Sequence, residues 1–530
     1  MATTSSTTNA DKAKRTRTNV KQSKFGCFTC KYGHTCSSTR AGPRNRADQG
    51  LIGLDESSAM RPNQRVDDAP FVDLACTVLT QSPRRARNDL ELAFWSRTVP
   101  QLTQSIPSVR AAVEAFGSSF EECVLRGGPS SSGLETTRRY TQALRLVQQD
   151  LATLPHGPIP CITACLFLAM VEALQQRLDN GHTHLLGALS LLVSHMDQKF
   201  LADVDIDIGD VSLLLQKLDL HVATYAVSQS PHLPPSPSIT KDVIISDPPD
   251  RALFKILHSC YHFTSKAFSY KYTSRRVIPP ELLIEQGRQL GNLKQWLSCN
   301  KLPSDVDSCA KNESMLVLRS QCLVALIHAS NILEPLETAY DCYGPDFQEI
   351  VTLIEALPLE NGQQKTPDCN GSSSLPSFIP EMGIIHPLYF TAQKYRNPFW
   401  RRKALNLLLK SGKEGPWCSE TEGSLIGAVI RTEEGLPKKA SLNMARLEDA
   451  STDDPSNIPE KSRVSACWAV HPEDECEGGC DHAKRFTKAI LFRCLDMEGL
   501  LRDEGQKPRK LAWEDSKYWE LLRESLEAVS

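Results

Sequence analysis

The sequence predicts a mainly α protein, and three observations predict it. Apolar residues recur at helical spacing, as at Tyr140, Ala143, Leu144, Val147 and Leu151, which fall at i, i+3, i+4, i+7 and i+11. The segment CITACLFLAMVEALQQRL, beginning at Cys161, is apolar on nearly all sides. Strand-like alternation of apolar and polar residues is scarce along the chain.

Taken in order, residues 1–24 are Ser/Thr-rich and basic with almost no apolar content, the composition of a disordered basic arm. Residues 25–36 hold three closely spaced cysteines. Residues 37–70 carry few large apolar side chains and read as a flexible linker. From residue 71 to 530 the pattern is globular. The stripe at Tyr140 to Leu151 ends before Pro155, and the segment from Cys161 should form a central helix. Asn180-Gly181 then reads as a turn, and His184, Leu185, Leu189, Leu192, Val193 and Met196 mark a helix packed antiparallel to the previous one. A proline-rich break covers 229–250, helical pattern resumes at roughly 251–299 and 314–338, and polar loops are expected at 359–378 and 436–463. At the C-terminus, Trp519, Leu522 and Leu526 line one face of an expected helix.

Bulk composition narrows the function. The chain has 530 residues, 40% hydrophobic and 23% charged, with net charge −3. That total hides an asymmetry: the first 46 residues carry ten basic groups and one acid, Asp11, against 50 basic and 62 acidic groups in the remainder. A basic arm on an acidic body points to a polyanion as partner of the arm. Eighteen cysteines are too sparse for a disulfide scaffold and read as reduced, buried thiols. The N-terminus MATTSSTTNADKAKR has no apolar core stretch, and the longest apolar run is far short of the roughly 20 residues a membrane span needs. The expectation is an intracellular protein with no membrane partner. Gly-x-Ser-x-Gly, a phosphate-binding Gly-Lys-Ser/Thr loop and His-Glu-x-x-His are all absent from the sequence, so no enzyme is expected.

The chemistry concentrates near the start. Cys27-Phe-Thr-Cys30 and Cys36 place three thiols close together, and two cysteines two residues apart on a tight turn can bind one tetrahedral Zn²⁺. Neighbouring lysines lower thiol pKa and favour the metal-binding thiolate. Lys12, Lys14, Arg15, Arg17, Lys21 and Lys24 before the thiols are too many, in a segment of disordered composition, to be a packed face. Nuclear import or phosphate contact is the better account.

On these residues, KFGCFTCK with its basic arm resembles the fungal six-cysteine binuclear zinc-cluster transcription factors. The globular part extends the resemblance: Phe94-Trp-Ser-Arg-Thr-Val-Pro-Gln-Leu102, Pro107 to Gly117, YTQALRLVQQDLAT, GHTHLLGALSLLVSH and Asn397 to Leu408 with Glu414-Gly-Pro-Trp417 are similar, in order, to that family's helical regulatory domain. The resemblance implies zinc held by Cys27, Cys30 and Cys36, with Lys31 contacting phosphate or base. It also implies double-stranded DNA and the transcription machinery as partners, a nuclear location, and regulation of RNA polymerase II transcription. Members often act as homodimers, although no heptad run follows residue 36 here. The sequence departs from the family pattern in three ways. Five residues, not six, separate Cys30 from Cys36; one lysine stands where the family has several basic residues; and after Cys36 the next cysteine is Cys76. Three thiolates cannot complete two zinc spheres. Three readings stay open: a degenerate module, a sequence misassembled over 33–70, or one zinc held by Cys27, Cys30, His34 and Cys36. The alternative function is a helical protein-interaction regulator that has lost zinc and DNA binding.

Two further groups invite a bland reading. Cys467, His471, Cys476, Cys480 and His482 lie in an acidic stretch whose spacing matches no strong zinc pattern. Arg401-Arg402-Lys403 opens a leucine-rich stretch and reads as the solvated face of a helix.

Overall fold

The computed structural model describes residues 69–81, 89–126, 133–195, 208–225, 230–235, 239, 241–302, 313–358, 378–380, 382–438, 440–442, 457–470, 488–508 and 517–526. Helices take up 72% of these, so the chain is mainly α. The helices are α1 (Ala69–Gln81), α2 (Asp89–Ala93), α3 (Val99–Ser105), α4 (Pro107–Phe120), α5 (Gly133–Thr153), α6 (Pro158–Leu174), α7 (Leu178–His195), α8 (Ile208–Tyr225), α9 (Lys241–Ser246) and α10 (Pro249–Ala267). They continue as α11 (Pro280–Cys299), α12 (Glu313–Asn331), α13 (Gly344–Glu355), α14 (Ile385–Lys394), α15 (Pro398–Leu409), α16 (Ser419–Glu433) and α17 (Met497–Asp503).

Proline sets many of the helix starts. Helices α4, α6, α10, α11 and α15 all begin on Pro, whose fixed φ suits the first turn and whose missing N–H would have no intrahelical partner there. In α15 the preceding Asn397 adds a side-chain cap, accepting from Phe399 N and Trp400 N at 3.1 Å each. Helix α6 is buried almost throughout, as its all-round apolar sequence requires.

The turn between α6 and α7 is not Asn180-Gly181. It lies at Gln175–Arg177, with Gln176 at φ 59, and Asn180-Gly181 sits inside the first turn of α7. Gly181 is there for proximity: a Cβ on it would stand 3.2 Å from the Ala169 carbonyl oxygen of α6. Gly117 plays the same part where α4 crosses α1, since its Cβ would meet Phe71 O at 2.2 Å.

Among the described residues three large apolar cores follow the chain, with a smaller one where α16 (Ser419–Glu433) meets the C-terminal sheet. The first joins α1 to α8 and centres on Trp95, Phe116 and Phe167, with Phe378 from the two-residue strand β1 (Phe378–Ile379) inserted at 5.6 Å from Phe116. The second gathers α12 to α16, and the third lies among α10, α11 and α12. Strand β1 pairs in parallel with β2 (Lys413–Glu414), which pairs antiparallel with β3 (Trp417–Cys418).

Three expectations need correction. The C-terminal segment is not a helix: β6 (Trp519–Ser525) pairs antiparallel with β5 (Lys488–Cys494), which pairs with β4 (Val464–Val470). Trp519, Leu522 and Leu526 fit a helical stripe, but Glu520, Leu522 and Glu524 share the sheet face that is more covered. Leu522 packs with Leu491 and Val429 of α16, so tertiary pairing overrides the local pattern. The proline-rich stretch 229–250 is only partly a break, because α9 forms within it and α10 starts at Pro249. The expected loop at 436–463 ends in a docked segment, where Glu460 accepts from Glu337 N at 2.8 Å and Thr338 N at 2.9 Å.

Candidate functional site

Two interior arrangements of polar residues stand out among the described residues. The first is a ring cluster where α10, α12, α14 and β3 converge. Tyr261 of α10 lies 6.1 Å from His328 of α12 and 6.5 Å from His386 of α14, centroid to centroid. Phe390, one turn after His386, lies 5.9 Å from His328 and 6.3 Å from His386. Trp417 completes the group at 5.3 Å from His386, and it also meets Tyr225 and Tyr389 at 5.0 and 5.1 Å. Most of these rings are tilted rather than stacked. Tyr261, His328, His386 and Phe390 are all buried, and their centroid separations are those of aromatic rings in direct contact.

The polar atoms of this cluster are poorly served. His328 Nε2 and Trp417 Nε1 are buried with no hydrogen-bond partner among the described residues. Gln321, two turns before His328 on the same face of α12, donates its Nε2 to Met382 O and Gly383 O, while its Oε1 has no partner. The lining is uncharged at neutral pH. Burial, with Lys271 and Lys394 as lesser causes, pushes the His328 imidazole down to about 3. Burial, followed by His328 and His221, does the same to His386, again to about 3. Glu422 of α16, whose charge would be felt by Tyr225 and Tyr389, is pushed up to about 8 by burial and so holds its proton at neutral pH.

The second arrangement is an ionic lattice. Arg396 Nη2 donates to Glu337 Oε2 and Glu433 Oε1, both at 3.1 Å, and Arg401 Nη2 donates to Glu433 Oε2 at 2.8 Å. Lys394 Nζ donates to Glu337 Oε2 at 2.9 Å, and Val464 N of β4 donates to Glu433 Oε1 at 2.8 Å. Arg463 forms a two-pronged pair with Asp341 at 2.7 Å on each prong. Burial pushes the Glu337 carboxyl up, but Lys394, Arg396 and Lys271 outweigh it and bring the group down to about 2. Each cation of the lattice meets a carboxylate, and the lattice ties α15 and α16 to the start of the C-terminal sheet. Its role is structural.

Arg401 and Arg402 therefore do not form a solvated face. Arg401 is fully buried and Arg402 is 8% exposed, the latter donating to Glu434 Oε1 at 3.0 Å. Only Lys403 of the triplet is partly exposed, paired with Glu355 at 2.7 Å. His184 is inside α7 rather than at its start, with Nε2 2.8 Å from the Tyr140 hydroxyl.

Cys27, Cys30, Cys36, Arg15, Arg17, Lys21, Lys24 and Lys31 lie outside the described residues, as do His471, Cys476, Cys480 and His482. Cys467 is on β4, its sulfur 3.3 Å from the Tyr389 hydroxyl and 3.2 Å from Gln393 Nε2, its thiol pushed up to about 12 by burial. A protonated thiol so placed acts as a small packed group. No set of three His, Cys, Asp or Glu side chains among the described residues could hold a metal ion. No described helix is long and apolar enough to cross a membrane. The ring cluster was missed in the sequence, although His386 and Phe390 at i, i+4 were its visible trace.

No protein-family model, no curated protein and no solved structure matches this chain.

Proposed function

We propose that the chain is a nuclear regulator of RNA polymerase II transcription of the fungal binuclear zinc-cluster kind, holding double-stranded DNA through its N-terminal arm. The observation that carries this reading is the coincidence of Cys27, Cys30 and Cys36 with ten basic residues and one acid in the first 46 positions. Thiols flanked by Lys24 and Lys31 suit zinc in donor type, and a structural zinc would supply the folding energy of so short a segment. Arg15, Arg17, Lys21 and Lys24 then neutralise phosphates, and Lys31, between the second and third thiols in sequence, contacts phosphate or base. The helical body, with its buried ionic lattice and ring cluster, serves as the regulatory part.

The second reading, a helical interaction regulator without zinc or DNA binding, is favoured by the forty-position step from Cys36 to Cys76. Zinc content of the purified full chain separates the two. Zinc bound by wild type and lost in Cys27→Ser/Cys30→Ser supports the DNA-binding reading. A wild-type chain free of zinc supports the interaction regulator.

A further inference from the structure

A serine hydroxyl is a weak nucleophile unless a neighbouring base takes its proton, and the base acts well when a third group fixes its orientation. Such an arrangement stands where residues 230–233 meet α10. Ser230 Oγ lies 2.7 Å from His262 Nδ1, and His262 Nε2 lies 2.8 Å from the Leu233 carbonyl oxygen. A carbonyl only accepts, so Nε2 carries the proton of the neutral ring and Nδ1 is left bare. The Ser230 hydroxyl therefore donates to Nδ1, the orientation in which the imidazole can remove its proton. Burial, followed by His258, pushes the His262 imidazole below its ordinary value, so the ring is a free base at neutral pH.

Both partners are held in place. Asp219 of α8 is 4% exposed, accepts from His232 N and Leu233 N at 2.8 Å each, and so pins the segment that follows Ser230. The same carboxylate meets Nε2 of the fully buried His258 at 3.3 Å, and His258 packs edge-on against His262, one turn later, at 4.8 Å. Ser230 itself is exposed, so a reagent reaches it from solvent. Exposed Ser105 makes the contrast: its hydroxyl donates to the Gln101 carbonyl oxygen at 3.0 Å, a group that cannot take the proton.

We propose that Ser230 is a nucleophilic serine, with His262 as its general base, that accepts an acyl group from activated esters. Ser230 Oγ adds to the ester carbonyl carbon as its proton passes to His262 Nδ1. The bond from that carbon to the leaving-group oxygen then breaks, and His262 returns the proton to the departing oxygen. The product is an acyl ester on Ser230. Pro231 has no N–H, and the amides of His232 and Leu233 are taken by Asp219, so the chain that follows Ser230 supplies no donor to an oxyanion. Transfer should therefore be slow and end at the acylated serine rather than run on to rapid turnover. The site shares no residue with the N-terminal arm and does not rest on the function read from it.

The test exposes the full chain to p-nitrophenyl acetate and locates acetyl groups by peptide mass mapping, with a fluorophosphonate as a second, serine-directed probe. Ser230 should be labelled at least about tenfold faster than Ser105 in the same molecule. The rate should climb with pH below neutrality, as His262 loses its proton, and level off above it. His262→Gln keeps a polar side chain without a usable base, and should slow labelling at least about tenfold and flatten that profile. Ser230→Ala should remove the label from this segment. Labelling of Ser230 no faster than that of Ser105 would overturn the proposal, and this comparison is made in the wild-type chain, whatever the folding of the variants. An unchanged rate and pH profile in His262→Gln would overturn it as well, and would reduce the Ser230–His262 bond to a loop fastening.

Discussion

Glu433 joins two fully buried arginines of the ionic lattice, and Glu433→Gln removes its charge while keeping its volume. The carboxylate accepts from Arg396 and Val464 N through Oε1 and from Arg401 through Oε2. Arg396 and Arg401 are 0% exposed and Glu433 is 6% exposed, so water cannot replace what is lost. An amide has one oxygen. If it faces Arg396, its NH₂ confronts the Arg401 guanidinium; if it faces Arg401, Arg396 and Val464 N lose their acceptor. Arg396 retains Glu337, and Arg401 retains the Ala392 carbonyl at 3.3 Å and Glu434 Oε1 at 3.5 Å, but no close carboxylate. Charge-assisted hydrogen bonds contribute about 1.5–3 kcal/mol each, and removing one partner of a buried ion pair costs about 3–5 kcal/mol. The expected loss is therefore about 3–5 kcal/mol, read by urea denaturation followed by circular dichroism near pH 7. A loss below about 1 kcal/mol would refute the reasoning, because it would mean that solvent reaches the guanidinium groups.

Two other outcomes follow from the same interior. His328 and His386 titrate near 3 in the fold against an ordinary 6.5, so between those limits the unfolded chain binds more protons than the folded one. Stability should be fully present above about pH 6.5 and fall on acidification by about 1.4 kcal/mol per pH unit for each histidine; His328→Phe should shallow that slope in denaturation curves collected from pH 7 to pH 4. Gly117→Ala would press a methyl group to 2.2 Å from Phe71 O, a backbone atom that cannot rotate away. It should cost about 1–3 kcal/mol by forcing α1 off α4, and an unchanged denaturation midpoint would contradict the close crossing.

Helices were legible where their periodicity was strong. The stripe around Tyr140 to Val147 and the apolar segment from Cys161 appear as α5 and α6, because burying a continuous apolar face is a local requirement that the sequence itself displays. The C-terminal strand was illegible because a seven-residue amphipathic run satisfies two periods, and only its pairing with β5 decides between them. Gly181 misled in the same way: a glycine after asparagine signals a turn, while its use here depends on a helix that crosses it. The ring cluster combines residues 261, 328, 386, 390 and 417, and no window of sequence brings them together. Arg401 and Arg402 looked like a surface charge run because their acidic partners, Glu433 and Glu434, lie 32 positions away.

The most direct test of the proposed function is DNA binding by the zinc-loaded full chain as salt is varied. With Arg15, Arg17, Lys21, Lys24 and Lys31 on phosphates, log K should fall against log salt with a slope of about −4 to −5. Cys27→Ser/Cys30→Ser should weaken binding at every salt concentration. A chain that binds duplex DNA no better than one lacking residues 1–46 would contradict the account and leave the interaction regulator in its place.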